Sequence, residues 1–380
     1  MNILMNGQHR FITIYIVFVL TLGAPYRLLP ESPSGSQGVA QFAAPSQQWD
    51  RGTEIAIEEA YRQCFKTYII DGRIINVRLP FAENNERSEL ADTELFIQGG
   101  GKSNPADLWA SIDDILATDD FHRYIQILQD GKEKVLIFDL SSRRWTWTRD
   151  LYEIARMKAQ AYKGLPHRPY VLHNGQDVEN SDIYNYLYCI GRLGMDCSGF
   201  VWHVLTYTAR KAGVDLRSTV QKALKLSKKL DPSHFVGTWY FDSKRPELEQ
   251  VPDNIKNLRS GDIILFRGSD GRAVHSAIIQ SIDMQKGRIR YLQSTDEAPL
   301  DERGVHESWI LFDPAKPDLS LKDPSLQWTQ KRFPAFPGEK ASAFSDDGER
   351  YRAFPEYGAG KVVRFKLMNS VFKTLNARYN

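Results

Sequence analysis

Apolar and polar positions along this chain keep two rhythms, one near 3.6 residues and one near 2, and the switch between them predicts most of its elements. Helical spacing runs through residues 54–65. Short β-rich runs follow at 67–70, 74–77 and 95–97. A hairpin is predicted between 124–128 and 135–138, joined across Gln129-Asp130-Gly131-Lys132, where Asp-Gly supplies the turn. Helical spacing returns over 150–162 (Leu151, Ile154, Ala155, Met157, Ala161) and stops at Gly164. An apolar helix is predicted from Cys197 to Gly213, then an irregular polar stretch broken by Pro232, Gly237 and Pro252. Strands are predicted at 263–266, 274–279 and 288–294, with a last one at 361–367. A helix followed by successive antiparallel strands reads as an α+β arrangement.

The same pattern divides the chain. Residues 1–24 hold His9 and Arg10, then the apolar run 11–22 and Gly23-Ala24-Pro25, which reads as an export signal or N-terminal anchor. Residues 25–48, rich in Ser, Pro, Gly, Ala and Gln, suit a linker. A smaller α+β unit is expected over 49–147 and a second unit over 148–380. A Pro-, Asp-, Lys- and Ser-dense stretch at about 313–358 reads there as a surface insertion. No internal repeat interrupts this order.

Composition narrows the function. The 49 basic and 47 acidic residues leave a formal charge of +2, and no Lys/Arg run interleaves with aromatics, so a nucleic-acid partner is set aside. Membrane contact is expected only through the N-terminal segment. The three cysteines are an odd set for an exported chain. Cys64 and Cys189 can pair and leave Cys197 as a thiol, or all three can stay reduced.

Cys197 follows Asp196 at the predicted helix start, where the first-turn N–H groups lack intrahelical partners and the dipole is positive; both favour thiolate. A small buried core thiol is the plain alternative. Cysteine catalysis also needs a base and a group that holds its tautomer. His275 opens an apolar strand on the face of Ala277 and Ile279, and Gln293 stands on the next strand, within hydrogen-bonding range. Its amide oxygen can accept the imidazole N–H, orienting the ring without adding much charge. A core histidine and an unremarkable glutamine are the plain alternatives there.

Taken jointly, four segments resemble the NlpC/P60 family of cell-wall cysteine peptidases. Asp196-Cys197-Ser198-Gly199-Phe200-Val201 resembles its nucleophile motif, and 258–266 its Gly-Asp turn and strand. Residues 274–279 resemble its catalytic-histidine strand, and Gly164 through Pro169-Tyr170-Val171 its Gly-x-Pro-Tyr element. The resemblance implies a papain-like core, a nucleophile helix packed on an antiparallel sheet. It casts Cys197 as nucleophile, His275 as general base and then acid, and Gln293 as third polar residue. Tyr170 and Ser198 would position substrate or the oxyanion. It implies hydrolysis of peptide bonds in peptidoglycan stem peptides, often the γ-D-glutamyl–diamino acid bond, outside the cytoplasm and with no cofactor or metal. The chain departs from the family in carrying Leu172-His173-Asn174-Gly175 after Pro-Tyr and Gln rather than His at the third position. Three other readings remain: an amidase or acyltransferase on the same core, a non-catalytic cell-wall binding module, and a metal site using Cys197 and His275 with His173 or His203. No C-x-x-C or H-x-x-x-H spacing supports the last.

Overall fold

The computed structural model describes residues 50–70, 72–82, 104–119, 121, 122, 125, 134–139, 144–148, 170–173, 183, 187, 194–295, 304–329, 354 and 360–378. The export segment and linker, the strand expected at 95–97 and the helix expected at 150–162 lie outside them. Helix α1 (Arg51–Arg62) buries Ala56, Ile57, Ala60 and Tyr61 on one stripe. Strands β1 (Phe65–Ile70) and β2 (Arg73–Arg78) follow as a hairpin turned at Gly72. Helix α2 (Pro105–Leu116) starts at an Asn104 cap with proline in its first turn. Asp113 moors it to β1, accepting from Lys66 Nζ and Tyr68 OH at 2.7 Å each.

Strand β3 (Lys134–Asp139) pairs antiparallel with β4 (Arg144–Thr148) and with β5 (Tyr170–His173). The strand predicted at 135–138 is therefore present, but its partner is not 124–128. Ile125 is helical and buried together with Phe121 four residues earlier, the spacing of a helix face rather than a strand.

Next come helices α3 (Cys197–Lys211), α4 (Leu216–Ala223) and α5 (Thr238–Asp242). Strands β6 (Leu248–Val251), β7 (Ile263–Arg267), β8 (Ala273–Asp283), β9 (Arg288–Thr295), β10 (Gly304–Leu311), β11 (Gln327–Thr329) and β12 (Lys361–Phe365) then build one seven-stranded sheet. Its order is β11-β10-β9-β8-β7-β12-β6 and every neighbouring pair is antiparallel. Helix α6 (Met368–Asn376) follows. The fold is α+β, with helices gathered on an antiparallel sheet.

Both faces of the sheet are covered. Ile263, Leu265, Ile278, Leu292, Val363 and Phe365 pack under α3, α1 and α6. On the other face Ile264, Phe266, Ala277, Ile279 and Tyr291 pack against Leu321, Leu326, Trp328 and Phe354. Those last four belong to the stretch expected as a surface insertion, so its described part forms a second core. The segment is sewn on by Ile255 N donating to Leu319 O (2.9 Å) and Leu321 N to Asp253 O (2.9 Å). Its Pro- and Asp-rich composition hides four large apolar side chains spaced too widely to show a period.

The boundary expected near residue 148 does not separate two cores. Helix α1 shares a single core with α3, and His203 Nε2 on α3 donates to the Ala60 carbonyl at 3.1 Å. Strand β5, from beyond the boundary, pairs with β3 before it.

The Gly261-Asp262 turn has a structural task. Gly261 has φ +93°, and a Cβ there would meet the Phe372 ring at 3.1 Å. The Asp262 carboxylate, fully buried, accepts from Arg364 Nε (2.6 Å) and Nη2 (2.8 Å) and from the Arg259 N–H (2.8 Å). Burial holds this carboxyl above its ordinary range, with Arg364 pulling the other way. The ion pair locks β12 against the turn that starts β7. Nearby, Glu54 in the first turn of α1 accepts from Ser260 Oγ (3.4 Å), and burial, then the Asp50 charge, pushes its carboxyl up to about 7.

Candidate active site

Asp196 makes the local conformation of the nucleophile candidate. Its backbone is extended (φ −74°, ψ 178°), and its side chain caps α3 by accepting from the Gly199 N–H at 2.5 Å. Its second oxygen accepts from Ser198 Oγ at 2.8 Å. Cys197 is therefore the first residue of α3, 7% exposed, with its thiol unoxidised. The helix ends as expected at Gly213 (φ +76°), with Arg210 and Lys211 in the last turn. Ser198 spends its hydroxyl on the cap, so of this residue only the backbone suits the oxyanion role.

The approach to Cys197 is held from both sides. The Met195 N–H donates to the Pro80 carbonyl (2.9 Å), and the Met195 carbonyl accepts from Ser294 Oγ (2.6 Å). Gly194 is needed here, since a Cβ would fall 2.2 Å from the Pro80 carbonyl oxygen. The same loop after β2 holds the start of β10, as the Val305 N–H donates to the Leu79 carbonyl (3.0 Å). Residues 79–80, from the unit that showed no chemistry in the sequence, thus tie the loop before Cys197 to β10.

His275 and Gln293 are brought together directly. His275 Nε2 lies 2.8 Å from Gln293 Oε1, both side chains buried. An amide oxygen can only accept, so Nε2 carries the hydrogen and the neutral ring keeps its lone pair on Nδ1. The Phe266 ring stands 5.5 Å from the imidazole, centroid to centroid. Beside it the β7–β8 register breaks, Phe266 pairing with His275 and Arg267 with Ala273. Val274 is the extra residue, and a bulge of this kind re-aims its neighbours.

Two further side chains complete the row. Gln293 Nε2 donates to Ser308 Oγ at 2.8 Å and lies 3.3 Å from His306 Nε2, while His306 Nδ1 lies 3.1 Å from the Gly304 carbonyl. His306 and Ser308 were missed in the sequence, where β10 shows no clean alternation because His306, Glu307 and Ser308 are all buried. Register alone locates His306, which pairs with Gln293 across β9 and β10.

The row lies on the face of Ala277 and Tyr291, and the body of α3 packs on the opposite face, against β8 and β9. Cys197 and the row share one end of the sheet: Met195 touches Ser294, the neighbour of Gln293. Tyr170 is placed by backbone only, in β5 opposite Ile137, and His173 ends the same strand. Cys64 is a free thiol buried beneath α1, 3.9 Å from the Ala60 carbonyl, and burial pushes its pKa up. Cys189, its possible partner in the sequence, lies outside the described residues. His203 is a core histidine whose pKa burial lowers to about 4. Among the described residues no group of three His, Cys, Asp or Glu could hold a metal ion. Compared with protein-family models, curated proteins and solved structures, the chain matches none of them.

Proposed function

We propose that this chain is an exported cysteine hydrolase with a papain-like core of the NlpC/P60 kind, cleaving peptide bonds in peptidoglycan stem peptides. The observation that carries the reading is the His275–Gln293 pair, at 2.8 Å, standing at the end of the sheet where the capped first turn of α3 presents Cys197. Each part has a chemical role. The positive end of α3 stabilises a thiolate on Cys197. His275, held through Nε2, takes the thiol proton on Nδ1. The sulfur adds to the substrate carbonyl, and the oxyanion is met by N–H groups of the first helical turn, donors that contribute about 10²–10³ in rate. The imidazolium returns its proton to the leaving amine as the C–N bond breaks, leaving a thioester on Cys197. Water, deprotonated by His275, then releases the acid and restores the thiol. Gln293 is neutral and only orients the ring. The apolar run at 11–22 supports an extracytoplasmic site of action, the Ser198 backbone N–H is assigned to the oxyanion, and Tyr170 is assigned to substrate positioning by the resemblance alone.

The test is digestion of purified peptidoglycan by the protein, with the soluble products identified by mass spectrometry. Wild type is expected to release stem-peptide fragments, and Cys197→Ala none. Identical intact wall material from both would refute the substrate. Alkylation of Cys197 that is slow and unchanged in His275→Ala would refute the catalytic pair and leave a binding module.

A further inference from the structure

We infer that His306 is a positioning residue which sets the direction of the Gln293 amide and, through it, the tautomer of His275. The inference rests on the proposed pairing of Cys197 with His275 and adds a fourth member to that site. Its starting point is an ambiguity in glutamine. A carboxylate presents acceptors at both ends, so it fixes a histidine tautomer unaided; an amide has an acceptor end and a donor end and fixes nothing until something distinguishes them.

Among the described residues two groups touch the far end of the Gln293 amide. Ser308 Oγ, at 2.8 Å, cannot distinguish the ends, because a hydroxyl donates or accepts by rotating. His306 can. Its Nδ1 lies 3.1 Å from the Gly304 carbonyl, which only accepts, so Nδ1 carries the hydrogen. In the neutral ring the lone pair then sits on Nε2, 3.3 Å from Gln293 Nε2, and demands the amide NH₂. The acceptor end is thereby turned to His275, 2.8 Å away. Polarity passes in one direction, from a backbone carbonyl through His306 and Gln293 to the catalytic ring. Reversal would set two lone pairs against each other at His306, and would turn the amide NH₂ toward His275, moving the hydrogen to Nδ1 and removing the base.

His306 is fully buried and belongs to β10, whose start is held by the Val305–Leu79 hydrogen bond, so the reference carbonyl and the ring are fixed on one strand.

The experiment is nitrogen-15 NMR of histidine side chains in the full chain, whose long-range proton–nitrogen couplings identify each ring's tautomer. In the unmutated protein the two neutral rings are expected in opposite forms, His275 protonated on Nε2 and His306 on Nδ1. In His306→Phe the minor tautomer of His275 is expected to rise from about one-tenth to a comparable share, the change that losing one hydrogen-bond preference produces. Ser308→Ala is expected to leave the His275 tautomer unchanged. Adding Gln293→Glu to His306→Phe is expected to restore the single Nε2–H form. Both rings protonated on Nε2 in the unmutated protein would overturn the inference without any mutant having to fold. So would a single His275 tautomer in a folded His306→Phe protein. These readouts require no substrate, so failure here is distinct from failure of the hydrolase reading.

Discussion

Replacing Glu54 by Gln should make the protein more stable at alkaline pH and change little at acid pH. Burial, reinforced by Asp50, moves this carboxyl from 4.5 to about 7. Between those values the folded protein holds a proton that the unfolded chain releases, so stability falls as pH rises from about 4.5 to about 7 and then levels. The full displacement corresponds to about 3 kcal/mol. Glu54 is only half-buried, so water screens part of that, and we expect about 1–2 kcal/mol. Glutamine copies the protonated acid and keeps an oxygen for Ser260 Oγ, now 3.4 Å from the carboxylate. Urea denaturation of wild type and Glu54→Gln at pH 5 and pH 8 measures the effect. The variant should gain about 1–2 kcal/mol over wild type at pH 8, with unchanged denaturant slopes. A gain no larger at pH 8 than at pH 5 would show that Glu54 is solvated and the reasoning wrong.

Three further outcomes are expected. Asp262→Ala leaves Arg364 buried without its 2.6 and 2.8 Å partner and should cost about 3–5 kcal/mol in denaturant; Asp262→Leu combined with Arg364→Met should recover most of it. Asp196→Ala removes the acceptor for Gly199 N–H and Ser198 Oγ, costing about 1–2 kcal/mol and slowing iodoacetamide alkylation of Cys197 as the first turn frays. Gly261→Ala must hold φ near +93° with its Cβ 3.1 Å from Phe372, and thermal melting should report a loss of about 1–3 kcal/mol.

The elements nearest the site were the most legible in the sequence, for a physical reason. Strand β7 is buried on both faces and reads as a continuous apolar run, β8 carries the run Ala277-Ile278-Ile279, and β9 alternates Arg288 and Arg290 with Ile289 and Tyr291, while the Asp196 cap and Gly213 stop mark both ends of α3. The His275–Gln293 contact followed from two residues on one face of neighbouring strands. What escaped notice depends on tertiary partners. Strand β10 places His306, Glu307 and Ser308 inside, where Arg290 pairs with Glu307 and Gln293 meets the other two, so no alternation survives. Residues 79–80 reach the loop before Cys197 through main-chain groups, which carry no sequence signature. The hairpin expected at 124–138 went astray because Asp130-Gly131 is a good turn signal, while the helical pair Phe121 and Ile125 shows only through burial.

The helix that presents Cys197 also has a history in time. It packs against both α1 and α6, and these are stitched together where the Thr53 N–H donates to Asn376 Oδ1 at 3.1 Å, across 323 residues. Contacts so distant along the chain carry a large loop-closure entropy and form late. During synthesis, α1 emerges first and waits for α6 before its groove is filled. The seat of this helix is therefore completed only after residue 376 has been made, so the core around it closes as one late event rather than helix by helix.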